Sequence, residues 1–157
     1  MKKSLVYTLV GFTMLVMITL ITTWYKTNTA NINCQARTVL HDRDNTLNIK
    51  TILHMSPGDN FFELFMTFTT PPLLPEKFHR VVNFSYDKDG DVYKMFSDAT
   101  NDNALPPAVR NSLNDLVPDF YLMPQRGIRI KIDKTKNGNY LILNDRLPVF
   151  LCVPIAS

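Results

Sequence analysis

Several things are missing from this 157-residue chain, and each absence removes a class of function. There are two cysteines, Cys34 and Cys152, with no C-x-x-C and no Cys/His cluster, so neither a redox motif nor a zinc-finger pattern is present. No G-x-S-x-G, H-E-x-x-H or phosphate-binding glycine loop occurs, and no nucleophile has a base beside it in the sequence. The chain therefore reads as no enzyme, with no cofactor and no metal. An excess of positive charge is missing too. Past residue 25 there are 15 basic against 14 acidic residues, a formal balance of +1, so direct nucleic-acid binding is not indicated.

From one stretch charge is absent altogether. Leu5 to Tyr25, LVYTLVGFTMLVMITLITTWY, has no charged residue and is flanked by Lys2, Lys3 and Lys26. As a helix rising about 1.5 Å per residue it reaches about 30 Å, the hydrocarbon thickness of a bilayer. The reading is a transmembrane helix over 5–25 in a lipid bilayer, with 1–4 as a cytoplasmic tail, 26–33 as a tether and 34–157 as a periplasmic domain. The rival reading is a cleaved secretory signal. Its apolar region would be about 7 to 15 residues, and Asn28 stands poorly at the minus-three position of a cleavage site before Ala30. Lysines at the N-terminus favour keeping that end in the cytoplasm, and Trp24 and Tyr25 suit the outer interface. The expected location is the bacterial inner membrane, single-pass.

Beyond Cys34 the pattern is of short strands between turn signals. Strands are expected over Cys34–His41, Leu47–Met55, Phe61–Thr69, Phe78–Tyr86, Asp91–Ser97, Ile128–Ile132, Tyr140–Leu143 and Leu147–Val153. Ser56-Pro57-Gly58-Asp59-Asn60, Asp87-Lys88-Asp89-Gly90 and Asn137-Gly138 supply turns. One helix is expected, with Leu105, Val109, Leu113 and Leu116 on one face and Pro118 as its stop. The fold class is α+β, mainly β: a transmembrane helix followed by a small antiparallel sheet, sandwich or barrel-like domain with one helix.

Strand alternation divides the phenylalanines of the third strand between two faces. Phe62, Leu64, Met66 and Phe68 form the expected core side, and Phe61 and Phe65 form a candidate face for a partner or ligand. Cys34 and Cys152 stand at opposite ends of an exported domain, where oxidising conditions favour a disulfide between them. His41, His54 and His79 are the only histidines and are candidates for sensing external acidity. The first hairpin puts His41 near its turn and His54 near the opposite end, which disfavours a shared metal site. The basic row Arg126, Arg129, Lys131, Lys134 and Lys136 is read as the solvated face of a strand.

With its N-terminal Met-Lys-Lys, one apolar span and a small strand-rich domain ending in Leu147-Pro148-Val149-Phe150-Leu151-Cys152, the chain resembles the FidL-like family of bacterial inner-membrane proteins. These look like ToxS, the companion of ToxR-type membrane transcription regulators. The resemblance is one of layout, over nearly the whole chain, and carries no catalytic residues with it. It implies that the periplasmic domain binds a ToxR-like regulator, stabilises or modulates it, and accepts an apolar small ligand such as a bile salt. The competing expectation is an accessory factor for export or assembly of surface proteins.

Overall fold

The computed structural model describes residues 2–28, 31–42, 45–70, 72, 74–99, 105, 110, 111, 113, 114, 116–144 and 147–155, without the side chains of residues 2–6, 8, 9, 24–28 and 147–149. It separates into two units, Met1–Ala30 and Asn31–Ser157. The first is α1 (Lys2–Asn28), which contains the whole charge-free run. Threonines are tolerated inside this helix because their hydroxyls bond back to it: Thr13 Oγ1 donates to the Val10 carbonyl at 2.9 Å and Thr19 Oγ1 to the Val16 carbonyl at 2.8 Å. Among the described residues no helix is long and apolar enough to cross a membrane; the side chains described without a break in α1 are those of residues 10–23. The interfacial position expected for the Trp24 and Tyr25 rings lies outside the described side chains. Since α1 runs to Asn28 and the first strand starts at Ile32, helix and strand take up most of the stretch 26–33 read as a tether.

The second unit contains β1 (Ile32–Asp42), β2 (Asn45–Ser56), β3 (Asp59–Thr69), β4 (Glu76–Asp89), β5 (Val92–Ser97), α2 (Asp119–Leu122), β6 (Gly127–Lys134), β7 (Tyr140–Asn144) and β8 (Leu147–Pro154). Each strand pairs antiparallel with the next, and β8 returns to β1, so the sheet is a closed barrel. All eight expected strands are present, and barrel closure decides between the open-sheet, sandwich and barrel alternatives. Closure has a physical motive: it leaves few backbone groups on an exposed edge. The turns are those the sequence signals demand. Between Ser56 and Asp59 only Pro57 and Gly58 intervene, and Gly58 has φ 87°, a conformation that a side chain disfavours. β4 is long because it serves two neighbours, pairing with β3 through Asn83 and with β5 from Phe84 onward. A register shift between Ile142 and Asn144 interrupts the β7–β8 ladder where β8 carries Pro148, which has no N–H to donate.

Alternation along the strands fills the interior. Phe62 is fully buried, with its ring centroid 5.2 Å from Phe84, and it meets the rings of Phe120 and Tyr121 edge-on at 5.9 and 5.3 Å. Edge-to-face contacts of this kind satisfy the ring quadrupoles as well as burying area. Phe120 and Tyr121 come from α2, a helical turn that lies beyond Pro118, where the sequence signals end helical structure. Most of the expected helix lies outside the described residues. Of its described residues, Arg110, Asn111 and Leu113 are helical, and the Val117 N–H donates to the Leu113 carbonyl at 2.9 Å. Of the residues expected on its apolar face, Leu105 and Leu113 are buried, Leu116 is half-buried and Val109 lies outside the described residues; Val117 is buried as well.

Candidate functional site

Three places on the barrel unit carry the sequence candidates: its interior, the outer face of β2–β3–β4, and the join of β1 with β8. Toward the interior lies a partly open apolar cavity of about 40 Å³ lined by Thr38 and Leu40 of β1, Leu64 and Met66 of β3, Tyr121 of α2 and Phe150 of β8. Its volume is that of one or two water-sized groups, well below a site that encloses a drug-sized ligand. Burial raises the Tyr121 phenol well above its ordinary range, so it stays neutral. Near this cavity in the register, opposite Leu64, lies Arg80, the largest fully buried side chain among the described residues. Desolvation lowers its guanidinium pKa from the ordinary value. Sequence reasoning passed over Arg80, although Phe78, Arg80, Val82 and Phe84 alternate and so place it on the inward side.

On the outer face the two candidate phenylalanines are each paired with a histidine. His54 stacks on Phe61, centroids 5.0 Å apart, and its Nε2 shares a hydrogen bond with Ser56 Oγ at 3.2 Å and stands 3.8 Å from Asp59 Oδ2. His79 stacks on Phe65 at 4.7 Å while its Nε2 donates to Glu63 Oε1 at 2.9 Å, and Lys50 Nζ lies 5.6 Å from the Phe65 ring centre. Register explains the pairing, because His54 sits directly across from Phe61 and His79 directly across from Phe65. The faces split by alternation through the middle of β3: Phe62, Leu64 and Met66 are buried and Phe65 is 40% exposed, whereas Phe61, expected outside, and Phe68, expected in the core, are both half-buried. His41 is apart from both pairs, at the β1–β2 turn, where its Nδ1 meets Thr46 Oγ1 at 3.1 Å. Among the described residues no group of three or more His, Cys, Asp or Glu could hold a metal ion.

In the basic row Arg126, Arg129, Lys134 and Lys136 are exposed and Lys131 is half-buried. Lys131 Nζ is 2.7 Å from Asp91 Oδ2 and 3.5 Å from Asp133 Oδ2, so its charge is locally neutralised. Its hydrogen bond lowers the Asp91 pKa, and the Lys131 pKa is raised in return.

At the third place, Cys34 and Cys152 form a disulfide with their Cα atoms 5.4 Å apart. Beside it the β1–β8 ladder holds two register positions, Cys34↔Pro154 and Gln35↔Val153. Among the described residues β1 is unpaired on that side from Ala36 to Asp42, a short open edge in an otherwise closed wall.

These features define a small antiparallel β-barrel domain clasped by one disulfide between its first and last strands. The chain belongs to the family described as the YqeJ C-terminal domain, whose model matches residues 31–152, a span that takes in the barrel from its first strand to Cys152. No curated protein and no solved structure matches it. The family match makes no link to FidL-like or ToxS-like proteins, and that resemblance rests on layout.

Proposed function

We propose that the protein is a single-pass accessory protein of the bacterial inner membrane whose periplasmic barrel binds a ToxR-like membrane transcription regulator and stabilises or modulates it. The observation that carries the docking part is the open β1 edge, Ala36 to Asp42, with Val39 52% exposed on it. An unpaired edge offers a row of backbone donors and acceptors to an extended segment of a partner, and apolar flanking residues add buried area. The aromatic face of Phe61 and Phe65 is a second docking surface. The role is one of binding, without a reaction.

Support for the anchor comes from α1. Its Leu5–Tyr25 run is uncharged, and Phe12, Leu15, Ile18 and Ile21 are among its exposed apolar side chains, a surface better suited to lipid than to water. A disulfide in the barrel fits an oxidising compartment such as the periplasm, with the N-terminus in the cytoplasm. For an apolar ligand such as a bile salt, the interior cavity is a starting point that has to widen. For acidity sensing, His54 and His79 are better placed than His41, because each contacts an aromatic ring of the proposed docking face.

Copurification of the full chain in mild detergent, with crosslinking, tests the reading. Recovery of a membrane protein with a cytoplasmic DNA-binding domain, and a fall in that protein's level when the gene is deleted, is the expected result. Recovery of secretion or surface-assembly subunits instead would replace it with the export-accessory alternative.

A further inference from the structure

We propose that the Cys34–Cys152 disulfide, more than the β1–β8 ladder, keeps the barrel closed, so that reducing it opens this one seam while the rest of the wall stays formed. The proposal is independent of any partner. Among the described residues the ladder at the seam is short: two register positions and one further backbone bond, from the Ile155 N–H to the Asn33 carbonyl at 3.0 Å. One of the two positions is occupied by Pro154, which has no N–H to contribute. The inward residues Cys34, Ala36 and Cys152 are buried at the seam, and further along it Thr38, Leu40 and Phe150 border the apolar pocket.

Each of the two strands has a second neighbour that does not depend on the seam. β1 pairs with β2 along its length, from Ile32↔Met55 to Asp42↔Asn45, and β8 pairs with β7 at Tyr140↔Cys152, Leu141↔Leu151 and Ile142↔Phe150. Parting β1 from β8 therefore costs a short ladder and the disulfide, and leaves both strands in the sheet. Stability that is uneven in this way produces local opening ahead of global unfolding.

Cys34 and Cys152 are fully buried, so a reductant reaches them when the short ladder beside the bond opens transiently. A thiolate of a dithiol, protein-borne or small, then attacks one Sγ. The S–S bond breaks, the other sulfur leaves as a thiolate and takes up a proton, and the second thiol of the reagent resolves the mixed disulfide. The reagent ends as a disulfide, and its two electrons are held by Cys34 and Cys152 as thiols. The opened seam lengthens the free β1 edge and widens access to the cavity, which makes thiol status a control on both.

Hydrogen exchange read by mass spectrometry on the full chain in mild detergent tests this, with the oxidised protein, the dithiothreitol-reduced protein and the Cys34→Ala/Cys152→Ala variant compared. On reduction, peptides covering 31–42 and 147–155 should accelerate about tenfold or more beyond any acceleration shared by 45–69 and 76–89. Reoxidation should restore the original protection. Because the double variant can fail to fold, the reversible change in the unmutated chain is decisive. Equal acceleration in every strand would make the disulfide a general staple and overturn the proposal. Unchanged exchange at the seam after complete reduction would overturn it as well.

Discussion

The wall made by β1, β2 and β3 and the seam between β1 and β8 belong to the same barrel but are held together by different means. In the wall, long ladders run from Ile32↔Met55 to Asp42↔Asn45 and from Thr46↔Thr69 to Ser56↔Asp59, and the inward side chains Leu53, Phe62 and Met66 are buried. At the seam a two-position ladder is joined by one covalent bond. Hairpin neighbours meet through short turns at little entropic cost, whereas the first and last strands are brought together from 118 residues apart. A covalent bond is most useful where chain connectivity does least.

The largest expected effect breaks the seam. Replacing Cys34 and Cys152 together by serine should lower the unfolding free energy by about 4 to 5 kcal/mol on the chain-entropy model for so long a loop. Denaturant titration followed by circular dichroism checks it. A loss near zero would mean that ladder and packing alone define the seam, and would erase the contrast with the wall.

Next in size is an attack on the wall from inside. Phe62→Ala removes the ring that contacts Phe84, Phe120 and Tyr121 and should cost about 3 to 5 kcal/mol, measured in the same titration. The outer face of the same strand should respond far less. Phe61→Ser and Phe65→Ser each remove a stacked histidine contact and should cost about 1 kcal/mol, leaving the barrel folded while weakening partner capture. If the outer pair proved as costly as Phe62, the division of β3 into core and docking faces would be wrong.

The smallest effect lies away from both regions and serves as a control. Asp91 and Lys131 are exposed, so Asp91→Asn should change stability only slightly. Its pH dependence has a definite sign. The lowered Asp91 pKa gives a contribution present above the ordinary carboxylate value and lost as pH falls through the lower folded value. The raised Lys131 pKa gives one present below the ordinary amine value and lost as pH rises through the higher folded value. The difference between native and variant stability should therefore be full between about pH 4 and about pH 10 and fade below and above that window.

Much of the barrel is legible in residues read two at a time. Leu47, Ile49, Thr51, Leu53 and Met55 alternate along β2, and the Pro57-Gly58 turn sets the β2–β3 register, so the burial of Phe62 and the exposure of Phe65 follow locally. Arg80 was legible by the same alternation, but a charged residue at an inward position is easily taken for an exception. Other features left no usable local signal. Asp119–Leu122 is one helical turn between Pro118 and Pro124, too short to show a period, yet it supplies two rings of the core. Ser97 is ordinary in sequence but buried, with its hydroxyl donating to the Met123 carbonyl at 3.1 Å and accepting from the Arg126 N–H at 3.0 Å, which pins the segment leading into β6.

Local chemistry by itself determined the eight strands, their turns, the two faces of β3 and the charge-free run of α1, because period, turn residues and absent charge act over a few neighbouring positions. The Cys34–Cys152 pair was legible too, but only the tertiary structure decided that the sheet closes, that α2 adds two rings to its core, that His54 and His79 stack on the two outer phenylalanines, and that the described β1–β8 ladder holds two positions. Those outcomes depend on register and twist accumulated around the whole barrel, and pairing between the first and last strands has no turn to set it.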